Sequence, residues 1–356
     1  MREYTNQPLF FNPNRVYRVY TGGWLMDQFL GRDGEDNHYP EEWIASTVHA
    51  VNDIDAGPDE GLSKIEHTEI TLKELGEMYP DETYGPAGSL DILVKYLDSS
   101  IRLPIQAHPD KNFSRTYFHS EFGKTEMWLI LATRENANIC FGFSGKMTKE
   151  QFAELETRSR TEKNVMDEYL NRVYVKPGEV YLIPAKAVHA IGAGCLILEV
   201  QEPTDFTLSP EFWCGDHLLS DQEMYLGLKK EEALDCFDYS IYGADCIRFS
   251  KKTPELVEDG ADARVEYLIT EEDTPCFKVL RSIVKKRQML KEGPAIYIIT
   301  KGNGYISGHH YQRNVTQGDY FFMPYNAKDM FSIVSGEYSE IEMITCIPPD
   351  RNNQPD

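Results

Sequence analysis

A seven-residue pattern occurs twice in this chain: Gly178-Glu-Val-Tyr-Leu-Ile-Pro184 returns as Gly318-Asp-Tyr-Phe-Phe-Met-Pro324. Each copy is a turn glycine, an acidic residue, an apolar strand and a proline that ends it. A repeat of this kind predicts two copies of one β-barrel unit. The copies differ where chemistry would sit, because the fifth residue past Pro184 is His189 and the fifth past Pro324 is Asp329. The first unit is therefore expected to carry a site and the second to be structural.

The rest of the chain reads as mainly β with inserted helices. Residues 1–60 are rich in aromatics, Gly and turn residues, with a strand expected over residues 42–48. Thr71 and Glu74 have capping-box spacing, and Pro80 ends the helix that they start. SLDILVKYLDSSIRLPIQAHP (residues 89–109) reads as a short amphipathic helix leading into a strand with Gln106 and His108. EMWLILAT and NICFGF, separated by RENA, predict a hairpin. Helices are expected over residues 148–171, the first capped by Thr148 and Gln151. PGEVYLIPAKAVHAIGAG reads as a strand, a turn and a return strand, and Ser220 with Glu223 opens a connector helix. SKKTPELVEDGADA looks like a linker. These signals divide the chain into residues 1–250, with the site, and residues 251–356, a run of short strands.

Gln106 and His108 are two apart, so on a strand both side chains leave one face. Glu126 opens the apolar run MWLILAT, and His189 lies at the second half of the repeat unit. Two imidazoles, a carboxylate and an amide oxygen converging inside one barrel would hold one divalent metal. Taken singly, each is more often a satisfied core or surface residue, and His119, His217, His309 and His310 are left in that class.

Composition narrows the functions. A formal net charge of -22 argues against DNA, RNA or anionic membrane as partner. For an anionic small molecule, screening over about 8 Å means that only local bases need answer the repulsion. No run approaches the roughly 20 apolar residues of a membrane span, and the first residues do not form a signal peptide. The seven cysteines are scattered without a CxxC pair, which fits small buried hydrophobes in a reducing cytoplasm.

Gly178, Pro184 and His189 resemble the second motif of the cupin superfamily, with Lys186 where that motif has a second glycine. Gln106-Ala-His108-Pro109, Gly123-Lys124-Thr125-Glu126-Met-Trp128 and the segment Pro184 to Gly192 are similar to marks of one branch, the type I phosphomannose isomerases. Leu198-Glu199-Val-Gln201-Glu-Pro-Thr204-Asp205 and EEWIAS at residues 41–46 extend the likeness over essentially the whole chain. The resemblance implies two cupin-type jelly-roll barrels and one zinc ion on Gln106, His108, Glu126 and His189. It also implies interconversion of mannose 6-phosphate and fructose 6-phosphate through an enediol, with Lys124 or Glu199 as base and Asp205 orienting the substrate or a basic neighbour.

One departure bears on the substrate. Four residues past the acid the family places an Arg, and this chain has Ser209, which carries no charge. Lys124, Lys186 or Arg115 would have to compensate, or the substrate differs: another aldose or aldose phosphate. Two other readings are an Fe(II) cupin oxygenase, whose facial triad also uses two His and a carboxylate, and a sugar-binding cupin without turnover.

Overall fold

The computed structural model describes residues 1–52, 57–337 and 339–350. Its strands are β1 (Arg15–Val16), β2 (Glu41–Ile44), β3 (Leu93–Ser99), β4 (Glu126–Thr133), β5 (Asn138–Phe143) and β6 (Leu170–Tyr174). Next come β7 (Val180–Ile183), β8 (His189–Ile191), β9 (Cys195–Gln201), β10 (Trp213–Cys214), β11 (His217–Leu218) and β12 (Lys251–Lys252). The last part holds β13 (Glu255–Asp259), β14 (Ala263–Ile269), β15 (Lys278–Val284), β16 (Arg287–Met289) and β17 (Ala295–Lys301). It ends with β18 (Asn303–Gly308), β19 (Tyr311–Thr316), β20 (Tyr320–Met323), β21 (Ser332–Ser335) and β22 (Ile341–Ile347).

These strands form a seven-stranded sheet, β1-β2-β3-β9-β4-β7-β12, and a three-stranded sheet, β6-β5-β8. A six-stranded sheet, β13-β14-β15-β22-β17-β20, and a four-stranded sheet, β16-β21-β18-β19, hold most of the remainder. Three apolar cores separate the layers. Trp128, Ile130 and Ile197 meet Ile139, Phe141 and Ile191 between the first two sheets. Tyr297, Ile299 and Phe321 meet Ile306, Val315 and Ile333 between the last two. Met127, Leu129, Leu198 and Val200 pack in one cluster with Val279, Ile296, Ile298 and Ile344, which joins the two large sheets back to back.

The repeated segment has the same geometry twice. Gly178 and Gly318 both have left-handed backbone, φ +90° and +93°, where glycine has no Cβ to clash. Each donates its N–H across the sheet over 2.8 Å, to the carbonyls of Ile130 and Ile299. Lys186 has φ +70°, which explains why the resembling motif carries glycine at that place.

Several local expectations are corrected. The segment read as an amphipathic helix over residues 89–109 holds β3, buried along its whole length in the middle of the large sheet. Burial on both faces removes the alternation that marks a half-exposed strand. EMWLILAT and NICFGF do not form a hairpin, since β4 pairs with β7 and β9 while β5 pairs with β6 and β8. The chain crosses from one layer to the other at RENA, and β7 and β8 part in the same way. Of the helices over residues 148–171, Lys149–Ser159 forms with its capping box, but Val165–Tyr169 is a 3-10 turn running into β6.

The connector helix forms its Ser220–Glu223 capping box and then stops after Asp221–Tyr225, where Leu226 and Gly227 turn left-handed. The stretch read as a linker contains β12, which pairs with β7, and β13, which pairs with β14. The strand expected over residues 42–48 is the shorter β2. Among the described residues no helix is long and apolar enough to cross a membrane.

Candidate active site

The segment before the helix Lys111–Phe118 runs extended between two neighbours. Gln106 exchanges both backbone hydrogen bonds with His189, and Ala107 exchanges both with Leu208. Arg102 and Glu211 anchor its start through a two-pronged ion pair of 2.7 and 2.8 Å, and Glu211 also accepts the N–H of Ile105. This backbone register turns Gln106 and His108 toward β4 and β8, as their two-residue spacing predicts.

His108, Glu126 and His189 come together as a buried group whose ligand atoms all lie within 4.8 Å of one another. His108 Nδ1 lies 2.9 Å from the Phe206 carbonyl, and His189 Nδ1 lies 2.8 Å from the Ala187 carbonyl. A carbonyl only accepts, so each Nδ1 must carry the hydrogen and each Nε2 presents a lone pair. Burial, followed by the Lys124 charge, holds His108 well below its ordinary pKa, and burial lowers His189 against the opposing pull of the Glu126 charge. Both rings are thereby kept neutral.

The two lone pairs face one carboxylate. His108 Nε2 is 3.2 Å from Glu126 Oε2, and His189 Nε2 is 3.4 Å from Glu126 Oε1. Burial pushes the Glu126 carboxyl up, but the Lys124 charge and its other neighbours bring it below the usual value. Acceptors set against acceptors require a cation between them. Lys124 meets part of that need, with Nζ 2.5 Å from Glu126 Oε2 and 2.8 Å from His108 Nε2. Glu126 Oε1 is buried and has no hydrogen-bond donor. The Gln106 side chain completes the group, its amide NH2 directed at His189 Nε2 over 3.4 Å; rotation of the amide by half a turn exchanges this nitrogen for the oxygen that would meet a metal. Neutral imidazoles, one carboxylate and one amide are a donor set that fits a divalent metal ion.

Beside this group opens a cavity of about 470 Å³, with Gln106, Lys124, Glu199 and Asp205 on its wall. One rung of the large sheet brings two of its lining residues, Lys95 and Glu199, side by side: Trp43 pairs with Lys95, Lys95 with Glu199, and Glu199 with Trp128. Trp128 donates its indole N–H to Glu199 over 3.1 Å. Burial and the nearby Glu126 charge raise the Glu199 pKa. Lys95 Nζ stands 3.5 Å from Glu199, 3.6 Å from Glu41 and 3.9 Å from Asp205. Burial opposes its charge, yet these carboxylates together raise its pKa.

Asp205 accepts from Arg18 on both oxygens at 3.1 Å and from the Val51 N–H at 2.9 Å, so its partner is a basic neighbour. Glu41 accepts from Arg18, Tyr20 and the Trp43 indole. Burial raises Glu41, and Arg18 and Lys95 more than reverse this, leaving it strongly acidic.

Sequence reading missed Arg18, Tyr20, Glu41 and Lys95 as site residues. A signal was present for two of them. Glu41 opens EEWIAS, and Lys95 lies inside a fully buried strand whose one other charge is Asp98, where Lys is rarely found without a role or partner. Of the bases expected to replace an Arg at position 209, only Lys124 reaches the cavity wall. Arg115 is half-exposed and bound to Glu121, and Lys186 meets the site through its N–H on the His108 carbonyl. His217, set aside above, lines the cavity with its partner Glu223.

No protein-family model matches the chain. Curated sequences do. It is 26% identical over 321 residues to the protein named probable mannose-6-phosphate isomerase GmuF of Bacillus subtilis, covering 89% of this chain and 93% of that one. To the mannose-6-phosphate isomerase ManA of the same organism it is 32% identical over 204 residues, 57% of this chain and 60% of the other. The fold matches the crystal structure of the Bacillus subtilis mannose 6-phosphate isomerase with a TM-score of 0.73 at 22% identity, over 96% of this chain and 99% of that chain. The apo enzyme of Salmonella typhimurium gives 0.71 at 14% identity, over 96% and 99%. The chain is thus similar in sequence to proteins named mannose-6-phosphate isomerases and shares the fold of the solved ones from end to end.

Proposed function

We propose that this protein is a zinc-dependent aldose–ketose isomerase interconverting mannose 6-phosphate and fructose 6-phosphate. The observation that carries the reading is the buried pair of neutral imidazoles facing Glu126, set in the wall of a cavity that also holds Glu199. His108, His189, Glu126 and Gln106 would hold the ion, which when bound supplies Lewis acidity to the sugar oxygens on C1 and C2.

The residues around the cavity fit the proton movements. In the aldose-to-ketose direction the proton on C2 leaves to a base and O1 gains one, giving the enediol. The base then returns a proton to C1 while O2 loses its own, so the protein ends as it began. Glu199 is the better placed base: it is buried, its pKa is raised and it lies beside Lys95, whose ammonium can hold a sugar oxygen. Lys124 takes the His108 and Glu126 atoms that the ion would claim, so it would shift when the ion binds and stays the second candidate for the base. Arg18 fixes Asp205, and Glu41 fixes Arg18 and Tyr20, so these acids act by positioning.

We read each pair of sheets as one cupin-type jelly roll, with the catalytic unit over residues 1–250 and a second unit over residues 251–356. The described cysteines are all buried and free, which supports a reducing compartment such as the cytoplasm. A coupled assay on mannose 6-phosphate, with zinc content measured on the same sample, tests the function. Metal-loaded protein that turns over neither mannose 6-phosphate nor any other aldose or aldose phosphate overturns it.

A further inference from the structure

The isomerase reading says what happens at C1 and C2. The structure also bears on the far end of the substrate, because a sugar that places C1 and C2 against Glu199 and Gln106 must send its last carbon toward the cavity mouth. We infer that this mouth is built for an uncharged end, so that the enzyme uses an unphosphorylated aldose about as well as its 6-phosphate. This inference rests on the isomerase reading.

The charges of the cavity carry it. Three cationic side chains line it: Arg18, Lys95 and Lys124. Each already faces carboxylates. Every guanidinium nitrogen of Arg18 has an acceptor: Nε on Glu41, Nη1 on the Asn52 side chain and the Val51 carbonyl, and Nη2 on Glu41 and Asp205. No donor is left for a phosphate without breaking one of these bonds. Lys124 stands against the metal group, at the C1–C2 end of the sugar and not at the mouth. Lys95 is buried at the floor among Glu41, Glu199 and Asp205, where it can reach a hydroxyl but where a phosphate dianion would meet three carboxylates.

The mouth offers no lysine or arginine in their place, and the one imidazole on its described lining, His217, is held by the Glu223 carboxylate at 2.9 Å. Its exposed lining side chains include Val51 (49% exposed), Leu218 (47% exposed) and Gln222, and its carboxylate is Glu223. Among the described residues the lining contains no Lys or Arg beyond the three named, and residues 53–56, which follow Asn52, contain none by sequence. Ser209, where the family has Arg, also lies on the wall. A formal net charge of -22 adds a long-range field of the wrong sign for a phosphate. A hydroxyl-bearing end suits such a surface, since amides and carboxylates hydrogen-bond its hydroxyls and the apolar side chains pack against its C–H groups.

The test compares kcat/KM for mannose and mannose 6-phosphate on the zinc-loaded full chain, with salt varied. A cradle making even one charge-assisted hydrogen bond would favour the phosphate by about tenfold or more. We expect a preference below that mark, or one reversed toward the free sugar, with mannose 6-phosphate efficiency steady or rising as salt screens repulsion. A preference for the 6-phosphate of about tenfold or more that falls with salt overturns the inference and leaves the isomerase reading standing. Turnover of neither sugar, nor of any other aldose or aldose phosphate, overturns both.

Discussion

His108 and His189 each have one ring nitrogen tied to a backbone carbonyl, so their other nitrogens are aimed before any ion arrives. Preset orientation of this kind lowers the cost of binding a metal. His108→Ala and Glu126→Gln are expected to weaken zinc by about 100-fold or more, read by metal analysis after dialysis, and to lose turnover with it. Glu199→Gln should keep the zinc and lose about 10²- to 10⁴-fold in kcat. Full turnover in that variant would remove Glu199 as the base. At this scale the sequence was informative where spacing is local. Gln106 and His108 share a strand face, and Lys124 and Glu126 lie two apart. Arg18 was not legible, because its partner Asp205 lies 187 residues away and only the folded sheet brings them together.

Among the elements, the extended segment carrying Gln106 depends on a remote ion pair. Arg102 and Glu211 are largely buried, with side-chain exposures of 16% and 1%, and Glu211 also holds the Ile105 N–H. Glu211→Ala leaves this N–H without a partner and leaves the guanidinium only Asp167 and the Leu103 carbonyl. We expect a loss of about 3–5 kcal/mol in denaturant unfolding, with weaker zinc binding because Gln106 and His108 lose their anchor. A stability change under about 1 kcal/mol would show that the pair contributes little.

The same element scale shows why local reading failed at β3 and at RENA. In β3 the side chains of both faces are buried, so LVKYLDS has no polar alternation to set it apart from a helix. At RENA a short polar turn between apolar runs has the signature of a hairpin, and only the packing of layers decides that β4 and β5 part. Capping boxes fared better, since Thr71, Thr148 and Ser220 each bond within three residues of themselves.

For the molecule as a whole, the core between the two large sheets means that neither half has a finished surface alone. Residues 1–250 expressed by themselves would expose Met127, Leu129, Leu198 and Val200. Such a fragment is expected to aggregate or stay unfolded, and a monodisperse, zinc-binding fragment in size-exclusion chromatography would contradict this. Leu198→Ala in the full chain should cost about 2–5 kcal/mol and leave KM unchanged in whatever protein remains folded.

Strand β9 sets that interior joint and the chemistry one peptide apart. Glu199 faces the cavity, while Leu198 and Val200 on either side face the other sheet. Sliding the strand by a single residue would send the carboxylate into oil and a leucine to the sugar. The register of β9, held by β3 on one side and β4 on the other, is thus as much a specification of the enzyme as any residue in its cavity.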